Sequence, residues 1–84
     1  MYNVYILKCA DWSLYTGITT DIARRITEHN ESKAGARYTR TRRPVEIVYS
    51  ASFEDRSTAS SEEYRIKRMT RKEKLELIKT TPGF

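Results

Sequence analysis

Eighty-four residues suffice for one domain, spanning 1–84, with a modest core and no room for a second. A formal charge of +5 and a pI near 9.6 favour an anionic partner, nucleic acid or a membrane surface. No apolar run is long enough for a membrane-spanning helix, and no membrane partner is expected. Met1-Tyr2-Asn3-Val4 lacks the charged-then-apolar layout of a secretion signal. The single cysteine, Cys9, cannot form an internal disulfide, and no Cys/His cluster suggests zinc. These features fit a reducing cytoplasm.

In chain order, Tyr2 to Lys8 is β-branched and aromatic and reads as a strand. Ala10-Asp11-Trp12-Ser13 reads as a turn, and Leu14 to Ile18 as a second strand closing a hairpin. Thr19-Thr20-Asp21 offers capping oxygens to a helix from about Asp21 to Asn30, with Ile22 and Ile26 as its apolar stripe. Glu31 to Arg43 is polar and arginine-rich. Gly35 bends it, and a short helix is expected near Ala36 to Tyr38. Pro44 leads into a third strand, Val45 to Phe53, with Val45, Ile47, Tyr49, Ala51 and Phe53 alternating onto one face. Asp55 to Ser57 caps a helix reaching about Arg68. Thr70-Arg71-Lys72-Glu73 is a capping box that opens a last helix to about Lys79, and Pro82-Gly83 ends regular structure. The order β-β-α-β-α-α implies an α+β domain: a three-stranded antiparallel sheet, strand one central, flanked by helices.

Alternation places Tyr5 with Asn3, Leu7 and Cys9 on one face, and Tyr15 with Gly17 on one face of strand two. A three-residue loop, Ala10 to Trp12, pairs Tyr5 with Gly17 and Leu7 with Tyr15. Both phenols then point the same way, with a bare glycine opposite Tyr5; a two- or four-residue loop would put them on opposite faces. Taken singly, Tyr5 and Tyr15 also read as ordinary strand aromatics. Arg25 and His29, four apart on a helix, share an edge beside the apolar stripe; His29 near a helix end also suits the C-terminal dipole. Glu63 and Lys67 show the same spacing, with Glu62 alongside. Cys9 reads as a small core residue. Trp12, at a turn tip, is expected to pack back on the domain. Arg37, Arg40, Arg42 and Arg43, near Lys33 and Tyr38, form a dense basic cluster suited to phosphate.

At these residues the chain resembles the GIY-YIG nuclease superfamily, and within it the small stand-alone bacterial proteins of the YhbQ/YazA type. Asn3-Val4-Tyr5 stands for the first tripeptide and Tyr15-Thr16-Gly17 for the second. The run on to Ile18-Thr19-Thr20-Asp21-Ile22-Ala23-Arg24-Arg25-Ile26-Thr27-Glu28-His29 is similar throughout. So are Asp55-Arg56-Ser57, Glu63-Tyr64-Arg65-Ile66-Lys67 and the basic stretch after Thr70. The resemblance implies the three-stranded antiparallel sheet and metal-dependent phosphodiester cleavage. It makes Tyr5, Tyr15, Arg25, His29 and Glu63 the catalytic set, with Glu63 the ligand of one Mg²⁺ or Mn²⁺. Arg25 is preferred to Arg24 because Arg-x-x-x-His matches the family spacing. The first tripeptide lacks its glycine and isoleucine, and no asparagine stands at Lys74-Leu75-Glu76, where the family usually has one beyond the glutamate.

The reading that follows is a divalent-metal endonuclease acting on nucleic acid, DNA rather than RNA, directed by structure rather than sequence, with a role in DNA repair or processing. Tyr5 or Tyr15 would take the proton from the attacking water, and Arg25 would neutralise phosphate charge. A free tyrosine has a pKa near 10, so Arg25 would also have to favour its ionised form. Gly17 supports the tyrosines. Lys33, Arg37, Arg40, Arg42, Arg43 and Lys67 would bind the nucleic acid. The alternative is a nucleic-acid-binding module that is non-catalytic or depends on a protein partner.

Overall fold

A computed structural model describes residues 1–31 and 37–80, the side chain of Arg37 excepted. Strand β1 (Tyr2–Lys8) and strand β2 (Leu14–Thr19) form the expected hairpin. Tyr5 lies opposite Gly17 and Leu7 opposite Tyr15. The loop is the odd one: the Cys9 N–H donates to the Ser13 carbonyl and the Trp12 N–H to the Cys9 carbonyl, each at 2.9 Å. Such a loop ends in a left-handed residue, and Trp12 takes it, with φ 69°. That geometry turns the indole outward, 65% exposed, rather than back onto the domain as expected. The Lys8 ammonium sits over its ring, 4.4 Å from the centroid.

Helix α1 (Ile22–Glu31) starts where the Asp21 carboxylate accepts from the Arg24 N–H at 3.1 Å. A short α2 (Arg37–Arg40) precedes β3 (Glu46–Phe53). The expected short helix near Ala36 to Tyr38 is helical at Arg37 and Tyr38 and runs on to Arg40; Ala36, Gly35, Lys33 and Pro82-Gly83 fall outside the described residues. Asp55 caps α3 (Arg56–Lys67), accepting from the Thr58 N–H at 2.7 Å. The capping box at α4 (Arg71–Thr80) is reciprocal: the Thr70 N–H donates to Glu73 at 2.9 Å and the Glu73 N–H to the Thr70 hydroxyl at 3.2 Å. Among the described residues, no helix is long and apolar enough to cross a membrane.

The sheet order is β2-β1-β3, with both pairings antiparallel, so β1 is central. Its two faces feed two cores. Val4 and Ile6 meet Tyr49 and the α3 residues Ala59 and Ile66, with Met69, Leu77 and Ile78 packed around them. Tyr5, Leu7 and Cys9 meet Val45, with Tyr15, Ile26 and Ile47 packed against them. Strand β3 therefore does not present one continuous apolar face. Its register against β1 shifts between Ile6 and Leu7, which pair with Tyr49 and Ile47. The extra residue, Val48, is a bulge. Ahead of it Val45 and Ile47 face Tyr5; beyond it Tyr49, Ala51 and Phe53 face α3 and α4. The period-two pattern looked unbroken because hydrophobic residues stand on both sides of the skip.

The Asn30 side chain ties the end of α1 to the start of β3. Its amide donates to the Val45 carbonyl at 3.1 Å and its oxygen accepts from the Val45 N–H at 2.7 Å. Thr16, opposite Ile6, is buried with its hydroxyl unpartnered among the described residues. A buried hydroxyl without a hydrogen bond is costly. Thr16→Val should therefore raise the stability by on the order of 1 kcal/mol, read as a higher urea midpoint at unchanged m-value.

Candidate active site

The site is built on the face of β1 that carries Tyr5. Gly17 lies directly across from it, and the close approach of the phenol requires a glycine there. A Cβ on residue 17 would fall 2.5 Å from the Tyr5 hydroxyl and 2.6 Å from the ring carbon that bears it. With that space open, the hydroxyl reaches His29 Nε2 at 3.0 Å. On the other side of the imidazole, Nδ1 lies 2.8 Å from the Thr39 hydroxyl of α2. Tyr5, His29 and Thr39 are all buried.

His29 is thus the one buried residue of α1, whereas Ile22 and Ile26 are only half-buried. The expected arrangement has the isoleucines holding the helix with His29 at its edge; Ile26 does pack against the Tyr5 core, but His29 goes deeper than either isoleucine. The ring is tolerated inside because a hydroxyl meets each nitrogen. Burial is also the main reason its pKa falls from 6.5 to about 4, with Arg25 and Arg43 pushing the same way. A neutral ring cannot serve the helix dipole. Arg43 takes that place: its guanidinium donates to the His29 carbonyl and, at 3.3 Å, to the Glu28 carbonyl, satisfying the last turn of α1.

Arg25 is steadied by Glu28 at 3.0 Å and hydrogen-bonds the Tyr5 hydroxyl. A guanidinium can only donate, so the phenol oxygen accepts from Arg25 and directs its own proton to His29 Nε2. The Tyr5 pKa nevertheless rises. Burial dominates, the Arg25 hydrogen bond opposes it, and the charges of Tyr15 and Glu63 add to the rise. The expectation that Arg25 would bring Tyr5 toward ionisation is not met in the free protein: desolvation outweighs the cation. Glu63 lies on α3, its side chain 20% exposed, paired with Lys67 at 3.2 Å, and close enough for its charge to act on Tyr5. Tyr15 completes the wall. Its ring meets His29 edge-on at 5.2 Å, lies 6.5 Å from Tyr5, and stacks on Tyr38 at 5.9 Å.

The structure therefore brings Tyr5, Tyr15, Gly17, Arg25 and His29 into direct contact, with Glu63 in electrostatic reach. The basic cluster is less uniform than its composition suggested. Arg42 donates to Asp11 at 3.0 Å and to the Tyr38 carbonyl at 2.8 Å, while stacking over the Tyr38 ring at 4.0 Å. Arg42 and Arg43 thus serve the fold. Arg40 is exposed on α2, and Lys67 is held by Glu63. Lys33 and the Arg37 side chain lie outside the described residues. Sequence reasoning missed Thr39 and Glu28. The spacing of three from Arg25 would have found Glu28; nothing local marks Thr39.

His29 is the only histidine in the chain, so its ring NMR signals need no assignment. They should titrate with a midpoint of about 4 and stay unchanged between about pH 5.5 and about pH 8, across the range where an ordinary histidine titrates. The linkage sign follows. The unfolded ring binds its proton near 6.5 and the folded ring near 4, so this group's contribution to stability is intact above about pH 6.5 and declines as pH falls toward 4. The decline should be smaller in His29→Gln. Gly17→Ala should lower stability by about 1–3 kcal/mol through overpacking, seen as a lower urea midpoint.

Comparison with known proteins agrees with this geometry. The model of the GIY-YIG catalytic domain matches residues 1–76. UPF0213 protein DP2720 of Desulfotalea psychrophila is 60% identical over 78 residues, 93% of this chain and 71% of its own. UPF0213 protein SH2523 of Staphylococcus haemolyticus is 53% identical over 77 residues, 92% of this chain and 93% of its own. The solution NMR structure of UPF0213 protein BH0048 from Bacillus halodurans, 43% identical, superposes with a TM-score of 0.64 and covers 99% of this chain and 88% of that one. With its paired tripeptides on adjacent strands and its helix arginine beside the first tyrosine, the chain belongs to the GIY-YIG family, a superfamily of nucleases that generally depend on a divalent metal.

Proposed function

We propose that this protein is a divalent-metal-dependent endonuclease that cleaves phosphodiester bonds in nucleic acid, with DNA preferred over RNA and substrate structure read in place of sequence. The observation that carries the reading is the Tyr5 hydroxyl, held between the Arg25 guanidinium and His29 Nε2, with the Glu63 carboxylate in electrostatic reach. A role in DNA repair or processing would follow from such an activity.

The donor set supports one class of metal over the others. Among the described residues, no three His, Cys, Asp or Glu side chains gather into a ligand cluster. That does not suit zinc, which takes four tightly arranged ligands, or calcium, which takes six to eight oxygens. It does suit Mg²⁺ or Mn²⁺, hard cations that keep several waters and are held by one or two carboxylates plus substrate phosphate. Glu63 would be that carboxylate, exchanging its Lys67 partner for the cation. When bound, the cation supplies Lewis-acid polarisation of the phosphate and stabilisation of the leaving oxygen.

The remaining work belongs to the chain. Arg25 would donate to a non-bridging phosphate oxygen and neutralise the charge that develops there. Tyr5 would act as a relay. As water attacks phosphorus, its proton passes to the phenol oxygen while the phenol proton passes to His29 Nε2, with Nδ1–H donating to Thr39. No free phenolate forms, which answers the raised pKa of the buried phenol. The anionic phosphate would raise the proton affinity of His29 in the complex. Tyr15, against His29, would fix the water or phosphate from the β2 side.

The test is a Mg²⁺-dependent nicking assay on branched, single-stranded and duplex DNA. Tyr5→Phe should slow cleavage by about 10²–10⁴-fold, the range for lost proton transfer. Glu63→Gln should abolish metal-dependent cleavage with the fold intact by circular dichroism. Undiminished cleavage by Glu63→Gln would remove the metal assignment. One observation favours the second reading, a binding module without catalysis: the phenol is harder to ionise in the free protein than in water. Salt-sensitive binding with no cleavage on any of these substrates would establish it.

A further inference from the structure

A cleft of about 310 Å³ opens at the end of β2, lined by Tyr2, Ile18, Thr19, Thr20, Arg25 and Arg56. Tyr2 and Ile18, which pack against the core beneath α3, supply its apolar part. Arg25 comes to it from α1 and Arg56 from the first position of α3. Arg25 thus stands between the Tyr5 hydroxyl, to which it donates, and this open space.

The want of a carboxylate partner does not single Arg56 out, since among the described residues Arg68, Lys72 and Lys79 have none either. Its placement does, on two counts. It shares a cleft with the arginine of the site, and it shares a helix line with the carboxylate of the site. Seven residues separate Arg56 from Glu63, which is two turns less about 20°, so both project from one line of α3 about 10.5 Å apart along its axis. Ser60 lies between them on that line, and the buried pair Ala59 and Ile66 runs alongside it. Arg68 is turned about 140° away from Glu63 and lies over the Tyr64 ring, 5.5 Å from its centroid. Lys67, on the same line as Glu63, is paired with it.

Two guanidinium groups lining one water-filled cleft repel each other, and an anion between them relieves both. Among the described residues no carboxylate lines the cleft, the Glu28 partner of Arg25 included. The anion that suits it therefore comes from outside the chain. Phosphate matches the guanidinium fork, and Thr20 adds a hydroxyl of the kind that contacts a nucleic-acid backbone. We infer that this cleft seats the phosphate flanking the scissile one, with Arg56 as its ligand. The inference rests on the nuclease reading and extends it: Arg56 fixes how far the strand lies past Glu63 and touches none of the reacting atoms.

The experiment measures binding apart from cleavage. In the inert Tyr5→Phe background, a fluorescent branched DNA is titrated over a range of salt concentrations. Arg56→Gln should reduce the slope of log K against log salt by about 0.7–0.9, the loss of one phosphate contact. Arg56→Lys should retain the slope. Arg68→Gln removes the same charge from the other end of α3 and should leave the slope unchanged. Circular dichroism should show all three variants folded. In the active background, Arg56→Gln should raise KM about tenfold, the size of one charge-assisted hydrogen bond, with kcat unchanged. Equal slopes for Arg56→Gln and Arg68→Gln would overturn the assignment. So would a fall in kcat at unchanged KM, which would put Arg56 on the scissile phosphate itself. If the Tyr5→Phe protein binds no DNA and wild type cuts none, the nuclease reading fails and this inference with it. If the one binds and the other cuts while the slopes are equal, the Arg56 assignment alone fails.

Discussion

The hydrogen bond from the Tyr5 hydroxyl to His29 Nε2, 3.0 Å long between two buried side chains, governs much of what surrounds it. A neutral imidazole offers one donor and one acceptor, so both nitrogens must be answered by groups that suit each other. Thr39 answers Nδ1, which draws α2 onto the end of α1. The phenol answers Nε2 only if it can swing close to β2, which requires Gly17. The odd hairpin loop puts Gly17 in that position. A one-residue change in the loop would move Gly17 away from Tyr5 and turn every β2 side chain to the other face. The polar chain at the site and the register of the hairpin are therefore a single constraint.

Much of this was legible beforehand because it follows from period and cap chemistry. Alternation makes the tyrosine pair share one face if the loop is odd, and the three-residue loop seen here supplies that condition. The starts of α1, α3 and α4 follow from Asp21, Asp55 and the Thr70–Glu73 box, each bonded as its residue type demands. The parts that were not legible depend on contacts distant in sequence. The bulge at Val48 leaves no mark in a hydrophobic run. The burial of His29 depends on Thr39, ten positions away, and a histidine at a helix end reads equally well as a surface group. The raised pKa of Tyr5 follows from how completely the two cores enclose it, which no spacing reports.

The arginines illustrate how composition misleads about roles. Four arginines within seven residues suggest a phosphate-binding patch. Yet Arg43 finishes α1 through two backbone carbonyls, and Arg42 joins the hairpin tip to α2 through Asp11 and the Tyr38 carbonyl. Guanidinium suits such work because its fork serves several acceptors at once and stays charged when partly buried. These contacts brace the side of the site away from Glu63.

The outward indole at the hairpin tip has a practical corollary. Trp12 is the sole tryptophan and stands well clear of both cores, so its emission already reports a watery setting in the native state. Loss of tertiary packing will change that signal little, and the fluorophore is a poor witness to denaturation. It is a good witness to events at its own end of the sheet, where the Lys8 ammonium rests on the ring. Anything that draws that cation away, or shields the indole from a dissolved quencher, will register there while the phenols around His29 remain spectroscopically silent.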